Sequence, residues 1–127
     1  MFGLFLSLGG VFLTNGYNIG VDTYRILTYV LGVINDCAYW IEHGTYQHDE
    51  IAARFHHRLV YIHPYPNGNG RHARLATDLL LRALDRPRFS WGSKYLTDAG
   101  EARTRYIEAL RAADSQDYAP LLAFVRS

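Results

Sequence analysis

"HPYPNGNGRHAR", residues 63–74, sets two prolines and a glycine-rich run between two segments of helical periodicity. Pro64 pushes the residue before it away from helical backbone, so the preceding helix has to end near Ile62. Gly68, Asn69 and Gly70 supply a pliant turn, and a new helix is predicted from Arg71. The fold therefore reads as helix, tight turn, helix at its centre. Before the turn, a helix over about residues 49–62 places Ile51, Phe55, Leu59 and Ile62 on one face. After it, Arg71 to Leu84 is expected to turn Leu75, Leu79, Leu80, Ala83 and Leu84 inward.

The pattern extends both ways. Asp22 is read as the cap of a helix whose Ile26, Val30, Val33, Ile34, Cys37, Trp40 and Ile41 recur at helical spacing, and the helix is expected to stop at His43-Gly44. Asn15-Gly16 lies between two short β-prone runs and predicts a small hairpin over about residues 11–21. "DRPRFSWG" is a loop that offers Phe89 and Trp91 as plugs. Thr97 or Asp98 starts a fourth helix through Tyr106, Ile107 and Leu110, and Ser115 and Pro120 suit the start of a short last one. The expected class is all-α with one minor hairpin, in a single domain over residues 1–127.

Composition narrows the chemistry. Thirteen basic and twelve acidic side chains nearly cancel, which leaves no general field for nucleic acid or membrane adhesion. The positive charge is instead local: from Arg54 to Arg88 there are seven arginines against two acids, Asp78 and Asp85. The lone Cys37 sits on an apolar stripe and predicts a core thiol in a reducing compartment, the cytoplasm. The apolar opening "MFGLFLSLGGVFLTNG" lacks a basic start, is too short to span a bilayer, and is expected to pack into the domain.

A glycine turn feeding a helix aims several backbone N–H groups in one direction, and the helix dipole adds to them, so the turn is suited to an anion. Arg71 and Arg74, three apart, share a helix face and each can fork onto phosphate oxygens. Two cations at a helix N-terminus oppose the dipole at a cost of up to about 1 kcal/mol each, which a bound polyphosphate would offset. His63, across the turn, is placed to take a proton from a hydroxyl at neutral pH. "FHHRLVYIH" invites a zinc reading through His56, His57 and His63, but neighbours on a helix point about 100° apart and chelate poorly together. His56 and His57 are expected instead to brace neighbouring elements by hydrogen bonds, with His57 opposite the apolar stripe. Asp78, four residues after Arg74, is a candidate to orient it. The absence of GK[ST], with the glycine run following a helix, rules out a P-loop.

Residues 63–74 resemble the signature of the Fic/Doc family, HPFx[D/E]GN[G/K]RxxR. "EIAARFHHRLVYIHPYPNGNGRHARLATDLLL", with "NIGVD", "WIEH" and "FSWG" around it, is similar to the Fic branch called mobile mystery protein B over roughly residues 15–95. The resemblance implies a bacterial, Fic-type helical domain with a motif loop at 63–71. It implies transfer of AMP, or another nucleotide part, from ATP to a Ser, Thr or Tyr hydroxyl of a target protein. It casts His63 as general base, and Asn67, Gly68, Asn69 and Gly70 with Arg71 and Arg74 as holders of the phosphates. The two arginines would also stabilise the leaving group. The hairpin, through Asn15, Gly16, Asn18, Ile19 and Gly20, takes the place of the family's target-aligning flap.

Two departures bear on activity. Asn67 occupies the position of the usual acidic Mg²⁺ ligand, and a neutral amide holds that cation weakly. The outcomes are then metal held mainly by the phosphates, metal-poor catalysis, or a weakened nucleotide- or partner-binding module; a phosphotransferase of the Doc type is a separate alternative. The family's inhibitory [ST]xxxE[GN] helix has no full counterpart: Thr97–Glu101 and Thr104–Glu108 keep the spacing, but alanine follows each glutamate. Regulation is expected from a partner or from a missing N-terminal segment, and the expected partners include a separate inhibitor or a homo-oligomer.

Overall fold

A computed structural model describes residues 21–62, 69–95 and 97–127, with five α-helices and one 3₁₀ turn among them. These are α1 (Val21–His43), α2 (His48–Ile62), α3 (Asn69–Ala83), α4 (Ala99–Asp114) and α5 (Ala119–Val125), with the 3₁₀ turn at Ser93–Tyr95 between α3 and α4. The described part is all-helical, as the periodicity requires. The expected hairpin lies outside the described residues except for Val21, which is already the first residue of α1. Asp22 accordingly falls inside the first turn of α1 instead of capping it.

Val30, Val33, Ile34 and Cys37 form the buried stripe of α1, and burial pushes the Cys37 thiol up to about 12, so it stays a neutral core residue. The helix stops where expected. Gly44 adopts φ +60°, and the Thr45 amide turns back onto the Trp40 carbonyl at 3.1 Å, closing the last turn.

The central element is α2, which contacts α1, α3 and α5. Its buried residues are Ile51, Ala52, Ala53, Phe55, His56 and His57, more than one face of a helix can hold, because neighbours cover it on several sides. Complete burial of Phe55 alone is worth about 2–3 kcal/mol. Alanines at 52 and 53 let α3 approach closely, and α3 answers with Ala73, Ala76, Thr77, Leu80 and Leu81. Leu75, expected inward, is instead half-exposed. The buried stripe starts from Ala73 at helical spacing, and Leu75 falls off it.

The C-terminal part closes over α2. The Asp98 side chain caps α4 by accepting the Glu101 amide at 2.9 Å. Pro120 stands in the first turn of α5. Phe89 and Gly92 are buried, and the amides of Ser90, Trp91 and Gly92 donate to the carbonyls of Val125 and Phe124 at the end of α5. Gly92 has φ +75°, and a Cβ there would come within 2.5 Å of the Phe124 ring, so this crossing needs glycine. Asp49, at the start of α2, accepts from Arg126 at 2.7 and 2.9 Å and from Arg86 at 3.3 Å, tying the first turn of α2 to the chain's end. No helix among the described residues is long and apolar enough to cross a membrane.

Candidate active site

The described part of the motif is the start of α3. Helical backbone begins at Asn69, two residues earlier than expected, so Asn69 and Gly70 belong to the first turn and not to the preceding loop. That turn holds no acidic residue. Its N–H groups and dipole end therefore meet no acidic side chain from the first turn, which favours an anionic partner. Arg71 is exposed and Arg74 half-buried, one turn apart. His63, Asn67 and Gly68, and the flap residues Asn15, Gly16, Asn18, Ile19 and Gly20, lie outside the described residues.

Gly70 and Arg74 are fitted to each other. A Cβ on Gly70 would come within 3.3 Å of Arg74 Nη1, so the small residue leaves room for the guanidinium over the first turn. On its other side, the guanidinium carbon lies 5.8 Å from the centre of the Tyr106 ring, within cation–π range. Burial holds the Tyr106 hydroxyl above its ordinary range, and the charge of Arg74 and a hydrogen bond from it pull the other way. The same hydroxyl is 2.8 Å from His56 Nε2.

His56 is completely buried, with its ring 4.6 Å from that of Trp91. Its pKa is pushed down to about 3 by burial, with Arg74 and His57 acting in the same direction and the Ala73 backbone opposing them. The ring is therefore neutral at neutral pH. Its Nδ1 is fully buried, and the Ala73 backbone supplies the ring's backbone hydrogen bond. Asp78 does not pair with Arg74 as expected. It accepts from Trp91 Nε1 at 3.0 Å, and burial raises its carboxyl above the usual range. Trp91 thus joins α3 to the ring that supports Tyr106.

His57 departs from expectation more plainly, being buried under α4 and α5 and not on an outer face. Its Nε2 meets Asp114 Oδ1 at 2.7 Å, and the Tyr118 hydroxyl stands 3.4 Å from its Nδ1. His56 and His57 therefore address α4 at its middle, Tyr106, and at its end, Asp114, and both brace neighbouring elements as expected. Beside His57 opens a cleft of about 820 Å³ bordered by Tyr29, Trp40, Arg54, Arg58 and Tyr61. Its arginines are engaged: Arg54 pairs with Glu50 and stacks on Tyr46 and Tyr118, and Arg58 pairs with Asp36. Among the described residues no cluster of three or more His, Cys, Asp or Glu could hold a metal ion.

Tyr106 and His56 escaped the sequence reading as members of the site. Tyr106 was one apolar position of the fourth helix, and its hydroxyl was the only hint of a polar task. In sequence His56 reads as a zinc ligand or a brace. What separates these is its complete burial, with the Ala73 backbone of α3 and the Tyr106 hydroxyl of α4 as partners, which only the folded chain shows.

Residues 26–81 match the Fic/DOC family model. A protein adenylyltransferase Fic of Nematostella vectensis is 39% identical over 77 residues, covering 60% of this chain and 16% of that protein. The protein adenylyltransferase fic-1 of Caenorhabditis briggsae is 32% identical over 100 residues, 76% of this chain and 18% of that protein. A uridine 5'-monophosphate transferase of Xanthomonas campestris is 45% identical over 51 residues, 34% of this chain and 10% of that protein. The chain thus spans less than a fifth of the length of these curated relatives. No solved structure matches it.

Proposed function

We propose, on the premise that the chain carries a Fic/DOC family segment at residues 26–81, that it transfers AMP from ATP to a hydroxyl of a target protein. The finer placement in the mobile mystery protein B branch, a single domain over residues 1–127, and a cytoplasmic setting belong to this proposal. Relatives named protein adenylyltransferase support AMP transfer in general. The observation that carries the reading is the start of α3: a helix N-terminus free of acids, with a glycine beneath one arginine and a second arginine exposed beside it.

In this reading the triphosphate lies along Gly68, Asn69 and Gly70, where backbone N–H groups meet its oxygens. His63 accepts the proton of the target's Ser, Thr or Tyr hydroxyl, and that oxygen attacks the α-phosphorus. The bond from the α-phosphorus to its bridging oxygen breaks, and pyrophosphate departs with the charge that Arg71 and Arg74 stabilise. The flap residues Asn15, Gly16, Asn18, Ile19 and Gly20 align the target segment by strand addition.

Mg²⁺, when bound, neutralises phosphate charge. Asn67 is the residue available to it, and a neutral amide contributes one carbonyl oxygen, so the phosphates would supply most of the ligands. Restoring an acid, Asn67→Asp, is expected to lower the Mg²⁺ concentration for half-maximal transfer about tenfold. A magnesium titration with the same half-point in both proteins would remove Asn67 from the metal's surroundings. The weakened-module reading rests on the same asparagine.

Parallel incubations with ATP labelled at the α- or the γ-phosphate test the reaction itself. Protein-bound label from the α position only is expected. Label from the γ position only would replace AMP transfer by Doc-type phosphoryl transfer, and label from neither, with ATP binding intact in a calorimeter, would leave a binding module.

A further inference from the structure

We propose that Tyr106 and His56 position Arg74, holding its guanidinium over the first turn of α3 in the orientation the departing pyrophosphate requires. The catalytic part of this inference rests on the transferase reading. The network itself stands on geometry. Arg74 reaches from α3 across Gly70 to Tyr106 on α4, and Tyr106 in turn reaches His56 on α2 at 2.8 Å, so three helices meet in one chain of polar contacts.

The direction of that chain follows from what each group can do. A guanidinium only donates hydrogen bonds. Arg74 Nη1 and the Tyr106 oxygen lie 3.3 and 3.9 Å from the same point above Gly70, so the oxygen faces a group that can only donate and its own hydrogen is left to be placed elsewhere. His56 Nε2 is the acceptor at hand, so the proton of the neutral ring resides on Nδ1. That proton faces the Ala73 backbone, which supplies the ring's backbone hydrogen bond and whose carbonyl also receives Thr77 Oγ1 at 2.7 Å through its second lone pair. With Nε2 on the Tyr106 hydroxyl and the Ala73 backbone as its other partner, the buried neutral imidazole is fixed in one orientation. Trp91 and Tyr106 hold the ring from two sides, at 4.6 and 5.8 Å between ring centres. The glutamates of α4 at the inhibitory spacing are turned elsewhere: Glu101 is paired with Arg105 at 3.0 Å and Glu108 is exposed.

Tyr106→Phe removes one oxygen and keeps the ring. With α-labelled ATP and a fixed acceptor protein, kcat is expected to fall about tenfold, on the scale of one lost hydrogen bond, while KM for ATP moves less than about twofold. In an Arg74→Lys background the same change is expected to cost nothing further, because the group it orients is gone. His56→Phe, which removes the acceptor, is expected to repeat the effect, and thermal melting checks that each variant folds. A second readout needs no activity: the ¹⁵N NMR signal of Arg74 Nε–H is expected to be resolved and slow to exchange in the parent, and averaged with solvent in Tyr106→Phe. Losses that add in the double variant, or an Arg74 signal unchanged by Tyr106→Phe, would overturn the inference. A parent protein that transfers no nucleotide but loses its Arg74 signal in Tyr106→Phe would end the transferase reading and leave the network standing.

Discussion

His63→Ala is expected to lower nucleotide transfer by about 10²–10⁴-fold while leaving the melting temperature within a degree or two of the parent. The residue follows Ile62, the last of α2, and precedes the first turn of α3 by six positions. A side chain at that point of the chain is close in sequence to both the anion-binding turn and the rigid helix before it, which suits a base that must meet a hydroxyl at a phosphate. The target's hydroxyl has a pKa far above neutrality, so without a base it attacks as a neutral, weak nucleophile. ATP affinity should change little, because the phosphate holders are elsewhere. The measurement is initial rate with α-labelled ATP, with calorimetry for binding. Transfer within about threefold of the parent would remove His63 from proton transfer, and binding lost together with transfer would recast it as a phosphate ligand.

Much of the helical scheme was legible because apolar spacing and turn chemistry agreed. Ile26 to Ile41 marks α1 at regular intervals, and Gly44 announces its end by a conformation that glycine favours. The same closing motif ends α3 and α4 with no glycine to announce it. Asp85 at φ 57° and Gln116 at φ 68° take the left-handed position, and the amides of Arg86 and Asp117 return to Leu81 and Ala112 at 2.8 and 3.0 Å. Packing of later segments enforces those turns, and composition does not reveal it. The misassigned face of α3 has a related cause. Hydropathy weights Leu75 above Ala73, but the buried face of α3 against α2 holds Ala73 and Ala76 and leaves Leu75 out, so the inner stripe is not drawn by hydropathy alone.

The site was legible where charge pattern alone defines it and opaque where partners come from distant chain. Arg71 and Arg74 next to Gly70 stand out within six residues. That Arg74 would be met by Tyr106, that His57 would be covered by Asp114 and Tyr118, and that Asp78 would turn to Trp91 depends on how α4, α5 and the 89–92 loop fold back. Local rules describe helix faces, not which face a helix 50 residues away will cover. The second arginine therefore has an accessory that motif spacing does not contain.

The burial of His56 sets up an acid sensitivity separate from its role toward Arg74. An ordinary imidazole titrates near 6.5, and in the folded chain this one is pushed down to about 3. Between those values the unfolded chain binds a proton that the folded one refuses. Stability is then fully present above pH 6.5 and is lost as pH falls, by about 1.4 kcal/mol per unit. From pH 6.5 to pH 4 this amounts to about 3 kcal/mol, a large share of the stability of a domain this small. Asp49, held below its usual range by Arg126, loses its contribution only at lower pH. Asp78, raised by burial, acts in the opposite direction by taking up its proton early in the folded state. The comparison that isolates His56 is urea unfolding of the parent and of His56→Phe at pH 7, 5.5 and 4. The parent is expected to lose about 3 kcal/mol more than the variant over that interval, even if the variant starts lower for want of the Tyr106 hydrogen bond. Equal losses would mean that the ring takes up its proton in the folded chain with no penalty, and that water or a carboxylate reaches it.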